Sequence, residues 1–143
     1  MSRVARFEID LDLALEMVEA ARRAAAAEQA LVTVAVVDAG GHLIAFVRMD
    51  GAEIAGPVLA RDKAYTAVAH RTDTSALSAE TSPGGPLVGM YAADGGRYIA
   101  FGGGLPLWDA DRVVGGIGVS GAAADVDARI AAAGAEVFAR ACR

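Results

Sequence analysis

The stretch of sequence that decides the fold is Val114-Gly115-Gly116-Ile117-Gly118-Val119-Ser120-Gly121, which follows a second glycine cluster at Phe101-Gly102-Gly103-Gly104-Leu105-Pro106. Twelve of the seventeen glycines of the chain fall between Gly84 and Gly121. Glycine costs backbone entropy, so such density indicates positions with φ > 0 or positions where the backbone approaches another group closely. We therefore expect this region to pack against a neighbouring element or to face a ligand.

Between the two glycine clusters the sequence predicts a β-hairpin. Leu107-Trp108 and Arg112-Val113-Val114 have side chains typical of strands, and Asp109-Ala110-Asp111 supplies the turn. The glycines at 102–104 would then present backbone N–H groups to a cavity. Such N–H groups can form a nest for an anion, so this region is expected to hold a small polar ligand.

Outward from the hairpin, hydrophobic periodicity and turn residues predict the remaining elements. The first half of the chain is predicted to hold a helix capped by Asp10 that ends near Glu28, strands over 31–37 and 42–49, and a helix over 56–71. The second half is predicted to hold a short helix from Thr74 or Ser75 toward Glu80, an irregular stretch over 81–96 and a strand over 97–101. A last helix begins at or before Asp125. Hairpin connections dominate this order. We therefore expect an α/β (α+β) fold with a central, mostly antiparallel, five-stranded sheet and helices on both faces, in a single domain over 1–143.

Composition excludes several classes of partner. The formal net charge of −5 argues against a nucleic-acid or anionic-membrane surface, since both are recognised by basic patches. No apolar run is long enough to cross a bilayer, and the N-terminal residues lack the apolar segment of a signal peptide. Cys142 is the single cysteine, so no disulfide is expected. A cytoplasmic protein is the expectation.

Five pieces of the chain together resemble the GlcG/HbpS family, also called haem-degrading or haem-binding-like domains, which includes the C-terminal domain of PduO. In order they are Val36–Leu43, Arg48–Ala52, Asp62–Ala64, Gly102–Pro106 and Val114–Gly121. The resemblance implies a profilin-like fold that assembles into ring-like oligomers. It also implies a relation to proteins that bind haem or corrinoid-pathway partners, or that accompany organic-acid catabolism.

Lys63, the only lysine, is the principal candidate for the ligand site. With Ala67 and His70 it shares one helix face, where Lys63 and His70 are about 10 Å apart, close enough to flank one ligand. A lysine beside a glycine-rich loop suits a carboxylate or an enolate. Alternatively, Lys63 pairs with an acid such as Asp38 or Asp50 and is structural. The predicted ligand-binding residues are Arg48, Asp50, Lys63, Tyr98, Gly102, Gly103 and Gly104.

Haem is a candidate cofactor, and His42 and His70 are the main candidates for its axial ligand. Haem iron also accepts methionine and tyrosine, which adds Met49, Met90, Tyr91 and Tyr98. The sequence has no CxxCH motif for covalent haem and no histidine or cysteine spacing typical of a zinc site. Because no axial ligand stands out in the sequence, we expect from the sequence alone at most a weak Soret change with hemin.

These observations lead to a hypothesis and an alternative. The protein is expected to bind haem or a small anionic organic metabolite in a pocket between the glycine-rich hairpin and the second helix. Alternatively, it is a cofactor-independent enzyme for a small organic acid or a biosynthetic intermediate, with Lys63 or His70 as acid, base or electrostatic stabiliser. A scaffold with an empty pocket is a third class. A homo-oligomer is expected, because so short a chain leaves apolar surface exposed.

Overall fold

A computed structural model describes residues 2–143 of the chain, and its helices and strands follow the predicted order except for the strand expected over 97–101. They are α1 (Leu11–Ala27), β1 (Thr33–Asp38), β2 (Leu43–Arg48), α2 (Gly56–His70), α3 (Leu77–Thr81), β3 (Gly104–Asp109), β4 (Arg112–Ser120) and α4 (Ala124–Ala141). Short 3-10 turns occupy Thr74–Ala76, Met90–Ala92 and Asp94–Gly96. The Asp10 side chain accepts a hydrogen bond from the Leu13 N–H, so Asp10 is the predicted cap of α1. Within residues 2–143, no helix combines the length and the apolarity needed to cross a bilayer.

The four strands form one sheet in the order β2-β1-β4-β3, and every neighbouring pair is antiparallel. On one face, Ile117 and Val119 pack in a core with Met17 of α1 and Ile130 of α4. On the other face, α2 packs against β1 and β4. The predicted antiparallel sheet with helices on both faces is therefore confirmed.

The glycines of β4 allow α2 to lie directly on the sheet. A Cβ at Gly118 would lie 2.6 Å from the Ala64 nitrogen and would collide with the Ala60 carbonyl oxygen, and a Cβ at Gly116 would lie 2.8 Å from the Ala64 carbonyl oxygen. Real Cβ atoms do not come so close to backbone atoms, so each of these positions needs a hydrogen in place of a side chain. The expectation that the glycine-rich stretch marks a close backbone approach is confirmed.

The predicted strand over 97–101 was wrong, and the sheet has four strands instead of five. The Ile99 N–H donates to the Thr66 hydroxyl of α2 at 3.0 Å, and the Thr66 hydroxyl lies 3.4 Å from the Arg97 carbonyl oxygen. The segment is thus attached to a helix side chain, where a strand would pair with another strand. The profilin-like description implied by the resemblance stays a prediction.

The two edges of the sheet differ. β3 contains Pro106, which has no N–H to offer a further strand, and its register shifts between Leu107 and Trp108. β2 has neither proline nor lysine, and its Leu43 and Phe46 side chains are exposed. The β2 edge is therefore the one open to a further strand.

Candidate ligand-binding site

A cavity of about 630 Å³, called here the large cavity, lies between the C-terminal half of α2, the β1–β2 turn and the tip of the β3–β4 hairpin. Three of the twelve arginines of this acidic chain line it, together with one acid, Asp111. Its other lining residues include Phe7, His42, Tyr65 and Val68, and the arginines are Arg6, Arg71 and Arg112. The large cavity thus combines apolar wall with a local excess of positive charge.

His42 stands on the rim of the large cavity with an oriented imidazole ring. Its side chain is 81% exposed, and Nδ1 lies 3.3 Å from Oδ1 of Asp38. Asp38 is itself fixed, because the same oxygen accepts hydrogen bonds from the N–H groups of Gly40 at 2.8 Å and His42 at 2.9 Å. Among residues 2–143 no hydrogen bond engages Nε2. Metal-ligating histidines have this arrangement, in which a carboxylate orients one nitrogen and the other binds the metal.

The turn that carries His42 rests on Tyr65. Gly41 has φ of +81°, and a Cβ there would lie 2.5 Å from Cδ2 of Tyr65. The Tyr65 hydroxyl donates to Asp94, and this hydrogen bond is the main reason that the pKa of Tyr65 is raised to about 12. The Arg97 guanidinium lies 3.6 Å from the centre of the same ring. Tyr65 is therefore a fixed, protonated part of the cavity wall.

Lys63 lies in the core, and its partner is Asp127 of α4 rather than Asp38 or Asp50. Its side chain is 1% exposed, and Nζ donates to Oδ2 of Asp127 and to the Val119 carbonyl oxygen, each at 2.9 Å. The ammonium also lies 5.0 Å from the centre of the Phe101 ring. Burial lowers the pKa of Lys63, and the nearby Asp127 carboxylate opposes this shift. Lys63 does not line the large cavity.

The structure brings the glycines at 102–104 next to Lys63, as the sequence predicted, but it encloses them. All three are buried. A Cβ at Gly103 would lie 2.8 Å from Nζ of Lys63, and a Cβ at Gly102 would lie 2.8 Å from the Ala124 carbonyl oxygen. This backbone is therefore packed against α2 and α4, where an anion nest would need open space.

The other predicted site residues are dispersed. Arg48 and Asp50 are exposed at the end of β2. His70 and Tyr98 are half-buried and in contact, with ring centres 4.6 Å apart in an edge-to-face arrangement. Nε2 of His70 is enclosed and has no partner within residues 2–143. None of these four residues lines the large cavity.

Two features that bear on the predicted site did not emerge from the sequence. The first is Asp127, although a signal existed: it lies at helical spacing with the buried Ile130, Ala131, Gly134 and Phe138, and an acid on an apolar stripe needs a buried partner. The second is the set of arginines around the large cavity, which come from three distant parts of the chain and leave no local pattern. No group of three or more histidine, cysteine or acidic side chains that could hold a metal ion occurs in the described part of the chain.

Comparison with known proteins gives consistent results. A family model described as haem degrading protein HbpS-like matches residues 9–136. The chain is 38% identical over 103 residues to the corrinoid adenosyltransferase PduO of Citrobacter freundii, a match that covers 72% of this chain but only 31% of the relative. The chain therefore corresponds to less than a third of that relative's length.

Two solved structures extend the similarity to three dimensions. The Klebsiella pneumoniae protein ORFY superposes with a TM-score of 0.93 at 30% identity, covering 97% of both chains. A structure described as a complex of PduOC with haem superposes with a TM-score of 0.88 at 34% identity, covering 91% of this chain and 94% of the other. Since the family model spans nearly the whole chain and these folds agree with it, the chain belongs to the HbpS-like family, as the resemblance to GlcG/HbpS domains predicted.

Proposed function

We propose that the protein binds haem in the large cavity and that His42 ligates the iron. The observation that carries the proposal is the geometry of His42, whose Nδ1 faces Asp38 and whose Nε2 has no partner in the described chain. The family description and the haem complex of PduOC support the same ligand class. His42 was one of the two axial candidates in the sequence, and its surroundings now distinguish it from His70.

The residues of the large cavity fit the chemistry of haem. A volume of about 630 Å³ lies in the range of about 300–1,000 Å³ that is usual for small-molecule and cofactor sites. The apolar side chains of Phe7 and Val68 suit the macrocycle, and the arginines are the residues that best pair with its carboxylates. When bound, haem supplies an iron centre whose behaviour depends on the axial ligand and on the polarity of the pocket.

The position of the proposed pocket differs from the one that the sequence suggested. Both lie between α2 and the β3–β4 hairpin, but the large cavity is at the hairpin tip, away from the buried glycines at 102–104. Binding of a small anionic metabolite by Lys63 and these glycines stays a prediction that the enclosed ion pair does not favour. A cytoplasmic location likewise stays a prediction.

The alternative of a cofactor-independent enzyme has less support. A general acid or base must come within hydrogen-bonding reach of its substrate. Lys63 is enclosed and paired, and Nε2 of His70 is enclosed as well. Neither side chain lines the large cavity, so we prefer haem binding.

Titration with hemin tests the proposal, with His70→Ala as the matched control for His42→Ala. We expect a defined Soret band with the unaltered protein and with His70→Ala, and loss of that band with His42→Ala. Asp38→Asn should retain the band but weaken hemin binding about ten- to a hundred-fold, as is usual when the group behind a metal ligand is changed. Equal hemin spectra for the unaltered protein and His42→Ala would refute the assignment of His42.

A further inference from the structure

We propose a second binding site, for a small anion that carries a carboxylate or a phosphate group, in a separate cavity of about 200 Å³. This small cavity shares Gly41 and His42 with the large cavity and is otherwise lined by different residues. Its cationic lining residues are Arg61 of α2 and Arg97, and its apolar ones are Val37 and Leu43. The site does not depend on haem, and its volume is too small for a haem group.

Arg97 is held in place in a way that leaves its terminal nitrogens available. Its Nε lies 3.2 Å from Oδ1 of Asp62, and its guanidinium carbon lies over the Tyr65 ring, 3.6 Å from the ring centre. Neither terminal nitrogen has a hydrogen-bond partner among residues 2–143. A guanidinium fixed at Nε presents its other edge as two parallel donors, which match the two oxygens of a carboxylate or a phosphate. Little rotamer entropy remains to be lost when an anion binds.

Arg61 supplies a positive charge that, unlike that of Arg97, has no acidic partner among the described residues. It is exposed on α2, and within the described residues it has neither an acidic partner nor a side-chain hydrogen bond. Six of the twelve arginines form ion pairs of 2.6–3.9 Å among the described residues, and Arg61 is not one of them. An unpaired arginine beside a pre-oriented one is a suitable arrangement for binding one anion from two sides.

The carboxylates near the small cavity are already occupied. Asp62 contacts Nε of Arg97, Asp94 accepts from the Tyr65 hydroxyl, and Asp38 accepts two backbone N–H groups and faces His42. Each of these carboxylates therefore already has a donor within the protein. The donors left over toward the cavity belong to Arg61 and Arg97, which is why we assign an anion to it.

Isothermal titration calorimetry of the hemin-free protein tests this site, with sodium phosphate and sodium succinate as separate probes at constant ionic strength. We expect saturable binding of at least one probe, and the probe that binds identifies the phosphate or the carboxylate as the preferred group. Arg61→Gln and Arg97→Lys should each weaken that binding about ten- to a hundred-fold, the range for loss of a charge-assisted hydrogen bond. Arg97→Lys keeps the charge and removes the two parallel donors. Its effect therefore measures how far the affinity depends on the geometry of the guanidinium.

Arg140→Gln is the matched control, since it removes the same charge from an exposed position on α4 and should leave the affinity unchanged. Absence of saturable binding by both probes would overturn the proposal, and so would an equal loss of affinity in Arg140→Gln. Melting temperatures of all variants verify that they fold. Hemin titration of Arg61→Gln should match that of the unaltered protein, because Arg61 does not line the large cavity. Failure of the anion site and failure of haem binding are therefore distinguishable.

Discussion

Lys63 and Asp127 form a buried ion pair whose two side chains are almost completely removed from solvent. Burial of two charges costs free energy that their attraction only partly offsets, so such a pair contributes little net stability. Removal of one partner is different, because it leaves an uncompensated charge in the core. The Lys63 ammonium has three good neighbours in Asp127, the Val119 carbonyl and the Phe101 ring, which leaves little capacity for a ligand.

We predict that Lys63→Met lowers the free energy of unfolding by about 3–5 kcal/mol, because Asp127 is then buried without its partner. The double variant Lys63→Met/Asp127→Leu should recover most of this loss, since neither charge remains. Urea unfolding of the single and double variants measures both effects. Asp125→Leu, at an exposed position on the same helix, is the control and should change stability little.

The opposite result would favour the role that the sequence suggested for Lys63. If Lys63→Met retained full stability but lost affinity for hemin or phosphate, Lys63 would be a ligand-binding residue. The sequence indicated that a lone lysine beside small residues needs an anion, either an acid or a ligand. The helical pattern around Asp127 indicated a buried acid, but it could not show that Lys63 is its partner. The two residues are 64 positions apart, and their contact depends on how α2 and α4 pack against the sheet.

At the scale of elements, the contact between α2 and β4 determines where the site residues lie. Gly116 and Gly118 let the backbone of β4 reach the small face of α2 that contains Ala60 and Ala64. Because α2 lies so close to the sheet, its C-terminal half can carry Tyr65 under the β1–β2 turn. The position of His42 therefore depends on a packing contact made by glycines of β4 that lie more than 70 residues away in the chain.

We predict that Gly118→Ala destabilises the protein by about 3 kcal/mol or more, at the upper end of the range for overpacked cores, because the new methyl group would meet the backbone of α2. Gly89→Ala is the matched control. Gly89 has φ of +89° with no atom within 4 Å of an added Cβ, so only left-handed strain of about 1–2 kcal/mol is expected there. Thermal unfolding of both variants checks the difference, and equal losses would show that close packing at β4 is unimportant.

Helices and strands were predicted well where a pattern within the segment itself determines them. The helix expected over 56–71 is observed as Gly56–His70, and the strands expected over 31–37 and 42–49 are observed as Thr33–Asp38 and Leu43–Arg48. The strand expected over 97–101 does not form, for a physical reason. Strand formation requires a neighbouring strand, and Thr66 of α2 takes the N–H of Ile99 instead.

At the scale of the whole molecule, apolar surface remains on β2. The side chains of Leu43 and Phe46 are 48% and 41% exposed, on a strand whose outer edge has no partner among the described residues. Unpaired backbone groups beside exposed apolar side chains favour association with a further strand. The homo-oligomer predicted from the sequence thus has a candidate contact.

We predict that Phe46→Glu reduces or abolishes self-association, because it places a charge next to the open edge. Trp108→Glu is the control: Trp108 is similarly exposed, at 43%, but lies on the opposite edge of the sheet. Light scattering at micromolar concentration measures the mass of each protein. A clean monomer for the unaltered protein would contradict self-association, and an unchanged oligomer in Phe46→Glu would exclude the β2 edge.

Pro106 in β3 limits the kind of assembly that many copies of this chain can form through their sheets. A sheet with two open edges can add copies without limit, and open-ended addition of this kind produces fibres. Here only one edge can accept a strand, because Pro106 and the shifted register block the other. Edge-to-edge pairing of sheets must therefore stop after a second copy has been added. A chain with an exposed apolar strand can in this way remain at high concentration without polymerising along its sheet.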